Sequence, residues 1–274
     1  MKKIDIETLH NIYYKRFEKI HNFLVENGIK YYAVGGTLLG AIRHNGIIPW
    51  DDDMDIGMTR DEYNKFLKVC DKLDKRYFEI INFSTKKNVE HALTKIGLVG
   101  VERDNSCLND KYDRHYHIDV FPFDYVYKNR QKQDKIVKKA TRLKQMLYIK
   151  SRNIKVTKSY KKPFLAIIKF FLLPIPSVKI AKKIDKIVSM PNNSPEKNPN
   201  IFWASSGVYS FDKETHDAAI FLKTILHPFG TTCILIPEGY DKFLIDTYGS
   251  NYMTPYNRNP DASFSCVLTD NYVE

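Results

Sequence analysis

The stretch Ile48-Pro49-Trp50-Asp51-Asp52-Asp53-Met54-Asp55-Ile56 places four aspartates within five positions of a segment that otherwise has the apolar character of a buried strand. Carboxylates at this density cannot all stay ionised in a low-dielectric site without a compensating cation, so the pattern predicts a bound metal. On a strand, alternate residues share a face, which would put the odd-numbered aspartates on one side and the apolar residues toward a core. Asp53 and Asp55 would then lie about 7 Å apart, close enough for one or two Mg²⁺ ions to bridge them.

Two other interpretations of the aspartates remain open. The first is an acidic turn exposed to water, which would leave the apolar residues between the aspartates without a core. The second is a calcium loop of the EF-hand type that begins at Asp51 and ends at Glu62. In that loop Ile56 would occupy the position where the sharp turn needs glycine, and Pro49 precedes the loop where a helix is required.

Length and composition indicate a folded protein. At 274 residues and 32.1 kDa, the chain fits one large domain or a catalytic domain with appended helices. Its hydrophobic content of 43% argues against disorder. The four cysteines lie far apart without a Cys-x-x-Cys pair, which argues against a zinc finger or a disulfide framework and favours a reduced cytosolic setting. No apolar run follows Lys2 and Lys3, so no secretory signal is expected.

The net charge of +11 comes from one part of the chain. Residues 128–190 contain 19 lysines and arginines but only two acids. Within them lies an apolar segment, 163–176, which is too short to span a bilayer and has Lys169 near its middle. An apolar segment ringed by lysines suits the interface of an anionic membrane, and a core helix wrapped by solvated basic helices is the alternative. Few interleaved aromatics and no recognisable binding motif argue against nucleic acid.

Hydrophobic periodicity and turn residues predict the order of the secondary structure. Helices are expected over 6–26, 38–43, 59–73, much of 130–152 and 238–248, and the apolar segment and another helix are expected within 163–189. Strands are expected over 31–34, 77–83, 93–101 and 116–121, and a polar linker over 191–199. We divide the chain into a catalytic core over 1–127, a basic helical insertion over 128–200 that contains the candidate membrane-interfacial segment, and a C-terminal part over 201–274 that completes the catalytic domain.

Two further motifs have the chemistry of a phosphate and metal site. Gly35-Gly36-Thr37 lies at a strand-to-helix junction, where glycine lets main-chain amides approach an anion, although such a pair alone more often marks only a tight turn. Asp119 is flanked by apolar residues, so a buried partner or an ion is expected to neutralise it. Asp124 follows Pro122 and is expected in a loop, which makes it the weaker candidate for a third carboxylate.

These motifs resemble the LicD family of phosphotransferases, which includes the fukutin-related proteins. The resemblance rests on YAVGGTLLGAIR at 32–43, GIIPWDDDMD at 46–55, IDVFP at 118–122 and YGSNYMTP at 248–255. It covers about 30–125 and 230–260 and leaves the basic middle uncovered. The gap between Gly36 and Asp53 is longer than in most nucleotidyltransferases but suits LicD-like chains. The cysteine cluster with which fukutin-related protein binds zinc is missing from this sequence, so no zinc is expected.

The resemblance implies an α+β fold related to the nucleotidyltransferase fold of polymerase β, with a mixed sheet, flanking helices and a basic helical insertion. It also implies transfer of a phosphorylated alcohol from a CDP-alcohol, such as CDP-choline, CDP-ribitol or CDP-glycerol, with release of CMP. The acceptor would be a hydroxyl of a cell-surface glycan or lipid-linked glycan, such as teichoic acid, lipopolysaccharide or capsule. The protein would then act in the cytoplasm, peripherally on the inner face of the membrane.

The resemblance also implies roles for individual residues. Asp53, Asp55 and Asp119 would ligate Mg²⁺ or Mn²⁺, and Asp119 would also accept the proton of the attacking hydroxyl. The donor would be held by Gly35, Gly36, Thr37 and Arg43, although Arg43 could equally be a surface salt-bridge partner.

Supporting roles are expected for the remaining polar residues near these motifs. Asp51 and Asp52 are expected to act from outside the metal coordination sphere, with direct ligation or simple exposure to water as the alternatives, and His44 and His117 are expected to be structural. Tyr248, Tyr252 and Arg258 would line the acceptor side, although Tyr248 could instead anchor the last helix in the core.

Two other functions fit the same sequence. One is a true nucleotidyltransferase that moves a nucleoside monophosphate and releases pyrophosphate. The other is a basic nucleic-acid-binding or scaffold protein in which the aspartates are vestigial, and for which binding should depend steeply on salt.

Overall fold

The computed structural model describes residues 2–103, 112–156, 160, 162–255 and 264–274. Its helices are α1 (Ile6–Glu26), α2 (Gly35–His44), α3 (Arg60–Val69), α4 (Arg130–Ser151), α5 (Lys162–Leu172), α6 (Ser177–Ser189) and α7 (Tyr240–Tyr248). Its strands are β1 (Lys2–Ile4), β2 (Tyr32–Ala33), β3 (Met54–Thr59), β4 (Phe78–Ile81), β5 (Thr94–Arg103), β6 (His115–Tyr127), β7 (Lys197–Ala204), β8 (Thr215–Asp217), β9 (Thr224–Phe229), β10 (Thr232–Pro237) and β11 (Cys266–Leu268).

The long strand β6 lies at the centre of a mixed sheet. It runs parallel to β3 and antiparallel to β5 and β7. The strand order is β1-β11-β5-β6-β3-β2, with β4 paired to β5 and the β7–β8 pair attached to β6. Strands β9 and β10 form a separate hairpin. A mixed sheet with flanking helices confirms the α+β class predicted from the sequence.

Apolar periodicity explains why β3, β6 and α1 pack together. Met54, Ile56, Ile118 and Val120 are fully buried at the centre of the sheet. Helix α1 has the predicted bounds and buries a stripe made up of Leu9, Ile12, Tyr13, Phe17, Ile20 and Leu24. The Asp5 carboxylate accepts a hydrogen bond from the Thr8 amide at 2.8 Å and so caps the start of this helix. The sheet and α1 therefore form a rigid platform on which side chains can be positioned.

A second apolar core lies under the basic helices. It joins α4 and α6 to the outer part of the sheet through Ala140, Leu147, Ile184, Val126 and Trp203. Helix α5 lies outside this core, because Leu172 is the one buried residue among its described side chains. The structure therefore favours an exposed α5 over the alternative of a core helix for the apolar segment 163–176.

Three boundary predictions were wrong. The aspartates before Met54 lie ahead of β3 and not within it, so the strict alternation of a strand does not apply to them. The expected linker over 191–199 contains the start of β7 at Lys197, which β6 pairs through Tyr127. Helix α2 starts at Gly35 and not at Leu38, because the Leu38 amide donates to the Val34 carbonyl at 3.1 Å and closes an earlier turn.

The prediction that Asp124 lies in a loop was also wrong. Strand β6 continues through Pro122 to Tyr127. Proline lacks an N–H donor, but Pro122 lies between the last β5 pairing, at Val120, and the first β7 pairing, at Phe123. On the edge of β6 that faces β5 and β7, no paired strand needs a backbone hydrogen bond from residue 122, so the strand continues through the proline.

Candidate active site

Strand register brings two of the predicted acids face to face. In the parallel pair of β3 and β6, Asp55 lies directly opposite Asp119. In the antiparallel pair of β5 and β6, Lys95 lies opposite Asp119 from the other side. Because adjacent strands are about 4.8 Å apart, these three residues form one row across the sheet. Two carboxylates and one ammonium group therefore meet at the middle of the sheet.

The remaining aspartates form a turn that approaches this row. One carboxylate oxygen from each of Asp51, Asp52 and Asp53 lies within 4.8 Å of the others. Helix α1 holds the turn in place through Tyr13. The Tyr13 hydroxyl lies 3.3 Å from the Asp52 carbonyl oxygen and 3.0 Å from the His117 carbonyl oxygen, and it can donate a hydrogen bond to either. The charge of Asp53 raises the pKa of both Asp55 and Asp119, which shows that the turn lies close to the row. The structure thus brings the three acids predicted to ligate metal into one region, although their carboxylate oxygens do not all lie within 4.8 Å of one another, as those of Asp51, Asp52 and Asp53 do.

The glycine pair lies directly against the carboxylates. A Cβ atom on Gly35 would lie 3.0 Å from Oδ2 of Asp55, and one on Gly36 would lie 2.7 Å from Oδ2 of Asp51. The Thr37 hydroxyl oxygen accepts a hydrogen bond from the Asp55 amide at 2.7 Å. Glycine is therefore required for the close approach of the first turn of α2 to the acids, and Thr37 fixes the position of Asp55.

Charge within the cluster is only partly compensated, because Lys95 and Arg103 lower the pKa of Asp53 and Asp119 by less than burial and the neighbouring acids raise it. Burial is the main cause that raises the pKa of Asp51 to about 7 and of Asp119 to about 6. The pKa of Asp55 lies well above its usual range, because of burial and then the charges of Asp53 and Asp119. Among the described residues, no salt-bridge partner lies within 4.0 Å of the carboxylates at 51, 52, 53 or 55.

Asp119 has an unmet hydrogen-bonding capacity. Its Oδ1 atom is buried and has no hydrogen-bond partner in the described part of the chain, although Lys95 Nζ lies 3.7 Å away. An acceptor left in this state costs about 1–3 kcal/mol unless a ligand satisfies it. Oxygen ligands of this number and charge fit a hard divalent cation such as Mg²⁺. The cluster could therefore hold such an ion.

A second group of possible metal ligands shows what a compensated cluster looks like. Glu79, Asp113 and His115 also lie close enough together to bind an ion. Lys86 Nζ, however, lies 2.8 Å from the Glu79 carboxylate and 3.0 Å from that of Asp113. The His115 ring further donates to Asp113 at 2.8 Å and lowers the pKa of that carboxyl. This group is a satisfied ion-pair network, which distinguishes it from the aspartates of the central sheet.

Other predicted residues lie on the rim or outside the site. Tyr248 borders the aspartates, since burial and the charges of Tyr209, Asp55 and Asp51 raise the pKa of its hydroxyl. Arg43 donates to the Tyr252 carbonyl at 2.9 Å and so joins the end of α2 to the C-terminal segment. The predicted role of Arg258 lies outside the described residues.

Asp124, the weaker candidate for the third acid, has a structural role. It is completely buried and receives both the Nε–H and the Nη2–H of Arg60 at 2.7 Å. Asn192 donates a further hydrogen bond to the same carboxylate at 2.5 Å. All this places Asp124 in a satisfied ion pair at the far end of β6, away from the aspartate cluster.

The sequence interpretation missed Lys95, which contacts His117. Lys95 Nζ lies 2.9 Å from His117 Nε2 and 3.1 Å from the Glu90 carboxylate. In the tautomer that donates from Nδ1 to the His115 carbonyl, Nε2 of His117 accepts from Lys95 and faces Asp119 Oδ1 at 3.3 Å. A lysine within a predicted buried strand was the signal that could have identified this contact.

Comparisons with known proteins agree with this arrangement. Residues 28–176 match the family model described as LicD/FKTN/FKRP, nucleotidyltransferase domain. Lipopolysaccharide cholinephosphotransferase LicD of Haemophilus influenzae is 44% identical over 69 residues, which are 25% of this chain and 26% of that protein. Ribitol 5-phosphate transferase FKRP of Homo sapiens is 30% identical over 99 residues, which are 35% of this chain and 17% of that protein.

A further relative has no described activity. An uncharacterized protein of Rickettsia typhi is 35% identical over 120 residues, which are 42% of this chain and 35% of that protein. The chain thus spans less than half the length of each of these three relatives.

Proposed function

The chain belongs to the LicD/FKTN/FKRP family, and on that premise we propose that it is a metal-dependent phosphotransferase. It moves a phosphorylated alcohol from a CDP-alcohol to a hydroxyl of a cell-surface glycan precursor and releases CMP. One observation supports this proposal above the others: Asp55 and Asp119 face each other on parallel strands, with no ion-pair partner for Asp55 among the described residues. The same proposal includes the polymerase β-like nucleotidyltransferase fold and the division of the chain into three parts after residues 127 and 200.

Asp53, Asp55 and Asp119 are the residues that would hold Mg²⁺ or Mn²⁺. A bound divalent ion would supply charge stabilisation to the attacking oxygen and to the departing phosphate. The excess of carboxylates over nearby cations and the Oδ1 atom of Asp119, which accepts no hydrogen bond from the described residues, fit such an ion. Asp51 and Asp52 surround this set from the turn before β3.

The chain's own groups orient the reactants. Main-chain amides of Gly35 and Gly36 face donor phosphate, since these glycines approach the acids without a side chain in between. In the transfer step, the acceptor oxygen forms a bond to the phosphorus next to the alcohol, and the bond from that phosphorus to the bridging oxygen of the diphosphate breaks. CMP departs with the bridging oxygen, and the hydroxyl proton passes to the Asp119 carboxylate.

Arg43 and Tyr248 complete the rim of this proposed site. Arg43 holds the C-terminal segment against α2 through the Tyr252 carbonyl, and Tyr248 is near enough for the charges of Asp55 and Asp51 to raise the pKa of its hydroxyl. We assign both to the positioning of donor and acceptor.

A panel of CDP-alcohols tests the proposed reaction. The protein is incubated with Mg²⁺, each donor and a glycan acceptor, and the nucleotide products are separated by chromatography. CMP released in one or more lanes, dependent on Mg²⁺, is the expected result. Pyrophosphate released from nucleoside triphosphates would indicate nucleotidyl transfer instead, and salt-sensitive binding of nucleic acid without either product would favour a scaffold.

The exposed face of α5 supports a location at an anionic membrane. Large apolar side chains on and after this helix are 57–71% exposed: Phe164, Ile167, Phe170, Phe171 and Leu173. Lys150 Nζ donates to the Leu172 carbonyl at 2.7 Å and fastens the helix to α4. The surrounding segment is strongly basic, which complements anionic lipid headgroups. We therefore place the protein peripherally on the inner face of a membrane, where a lipid-linked glycan would be the acceptor.

Among the described residues, no single helix is both long and apolar enough to cross a bilayer. Lys162–Leu172 and Ser177–Asn193 satisfy length and composition only as a pair, and the pair is bent by 80°.

A further inference from the structure

A cavity of about 320 Å³ opens beside the proposed metal-binding acids. Asp53 and Asp119 form part of its wall, and the C-terminal end of α4 contributes Tyr148, Ser151 and Arg152 on the opposite side. Its other walls come from β5, β6 and the segments that flank them. The volume is that of a small-molecule subsite, and its polar lining suits a charged group.

Arg103, the last residue of β5, enters this cavity with two unused donors. Its guanidinium carbon lies 4.7 Å from the centre of the Tyr116 ring. Nε and Nη2 are both buried, and neither has a hydrogen-bond partner in the described part of the chain. These two nitrogens form one edge of the guanidinium group and point their hydrogens in parallel. That edge matches two oxygens of a single phosphate or carboxylate group.

Arg60 shows how the same edge behaves when it has a partner. Its Nε and Nη2 atoms each donate to one oxygen of Asp124 at 2.7 Å. Arg103 has no comparable acid, because no carboxylate of the described residues lies within 4.0 Å of it. Buried donors that make no hydrogen bond are unfavourable, so their persistence calls for a ligand.

Two other cations around the cavity already have hydrogen-bond partners. Lys95 contacts Glu90 and His117, and Arg152 donates to the Tyr148 hydroxyl. The buried Nε–Nη2 edge of Arg103, by contrast, has no hydrogen-bond partner in the described part of the chain. The nearby acids would repel an anion unless a metal neutralised them, which makes a ligand that binds metal and arginine together the best match.

We propose that Nε and Nη2 of Arg103 bind a phosphate oxyanion of the substrate inside this cavity, beside the metal-binding aspartates. The identity of the substrate rests on the proposed function, whereas the existence of the anion site rests on the geometry of Arg103. In the proposed reaction, the group held there is a phosphate of the donor diphosphate. Arg103 would then neutralise the charge that accumulates on that phosphate as CMP departs.

Pyrophosphate binding tests the site without turnover. Its affinity is measured by isothermal titration calorimetry in the presence of Mg²⁺ for the unmodified protein, Arg103→Lys and the control Arg76→Lys. Lysine keeps the positive charge beside Asp53 but loses the two-donor edge, so we expect affinity to fall about 10-fold or more in Arg103→Lys. Arg76 is exposed and pairs with Asp74, so the control should bind normally. Equal affinity in all three proteins would overturn the proposal.

Two further measurements separate this site from structural and functional explanations. Because the Nε and Nη2 atoms make no hydrogen bond, Arg103→Lys should unfold within about 2 °C of the unmodified protein; a large loss of stability would assign Arg103 to the fold instead. In steady-state assays, a raised KM for the CDP-alcohol supports donor phosphate, and a raised KM for a phosphorylated acceptor alone supports an acceptor phosphate at the same residue.

Failure of the two proposals is distinguishable. Pyrophosphate binding that depends on Arg103, without turnover of any CDP-alcohol, would support the anion site and reject the proposed reaction. CMP release with unchanged kcat, KM and pyrophosphate affinity in Arg103→Lys would support the reaction and reject the anion site.

Discussion

Asp55 on β3 and Asp119 on β6 are register partners in a parallel strand pair, although 64 positions separate them in the chain. Parallel pairing requires that the chain cross over between the two strands, so the site forms only when α3, β4 and β5 have folded. Removing water from two facing carboxylates is unfavourable unless their charge is neutralised. This relationship leads to the first two predictions.

Divalent cations should stabilise the folded protein. Ions that bind only the folded state at 100 times their Kd contribute about 2.7 kcal/mol, which for a chain of this size raises Tm by about 5 °C or more. Differential scanning fluorimetry with 0.1–10 mM MgCl₂ and with EDTA measures the shift. An unchanged Tm across this range would contradict a metal site.

Replacing Asp53, Asp55 or Asp119 by asparagine should remove most turnover without unfolding the protein. Each substitution deletes a ligand and also relieves repulsion among like charges, so the metal-free Tm should stay the same or rise. CMP release and the Mg²⁺-dependent shift in Tm are measured for each variant. Asp61→Asn, an exposed acid on α3, is the control and should keep both. Retained CMP release in Asp55→Asn would defeat the assignment.

Gly36→Ala should lower activity while the fold persists. The added methyl group would lie 2.7 Å from Oδ2 of Asp51, so that carboxylate must move. We expect at least a 10-fold fall in kcat/KM, because the main-chain approach to the acids is lost. Gly28→Asn is the matched control: Gly28 has φ +63° and open space around it, which asparagine tolerates. Equal loss of activity in both variants would point to general destabilisation.

Asp124→Ala should destabilise the protein by about 3–5 kcal/mol, because it leaves the buried Arg60 with one partner fewer. Urea denaturation followed by circular dichroism measures this loss. The surface pair of Arg130 and Asp134 provides the comparison: Asp134→Ala should cost less than about 0.5 kcal/mol. Similar midpoints for the two variants would contradict a structural role for Asp124.

Replacing both Phe170 and Phe171 by serine should weaken membrane binding without changing the fold. Both side chains are about 70% exposed and lose no core contacts when they are replaced. In a sedimentation assay with vesicles of 30% anionic lipid, the unmodified protein should pellet with the vesicles and the double variant should stay in the supernatant. Vesicles of zwitterionic lipid test the charge contribution and should bind less of either protein. Equal binding to both vesicle types would reject an anionic membrane as the partner.

Local pattern was enough to predict most helices and the central strands. The apolar stripe from Leu9 to Leu24 predicts α1, because a helix of that length buries one face. Gly28 marks the turn just beyond its end. Apolar neighbours around Asp55 and Asp119 also predicted from the sequence that both acids lie on central strands, while their role as metal ligands stays a prediction. The sequence did not predict that Asp55 and Asp119 lie opposite each other on β3 and β6, because strand register depends on pairing between distant parts of the chain.

The cations of the site were harder to predict. Lys95 becomes a neighbour of Asp119 through the antiparallel pairing of β5 with β6, and Arg103 lies just beyond a register shift between Gly97 and Glu102. Neither effect leaves a periodic signal in the sequence. The loop prediction for Asp124 was wrong because a proline normally ends a strand. Next to Pro122, β6 exchanges β5 for β7 as its paired strand, and this exchange depends on the arrangement of the whole sheet.

The Arg60 guanidinium joins the sheet to α6, since it contacts Asp124 on β6 and also Asp185 at 2.8 Å. The basic helices are consequently not a detachable module. An engineer who transplants them between relatives, or trims the chain to a minimal enzyme, must exchange Arg60 and its two acids together, or the graft will bury an ionised group that nothing neutralises.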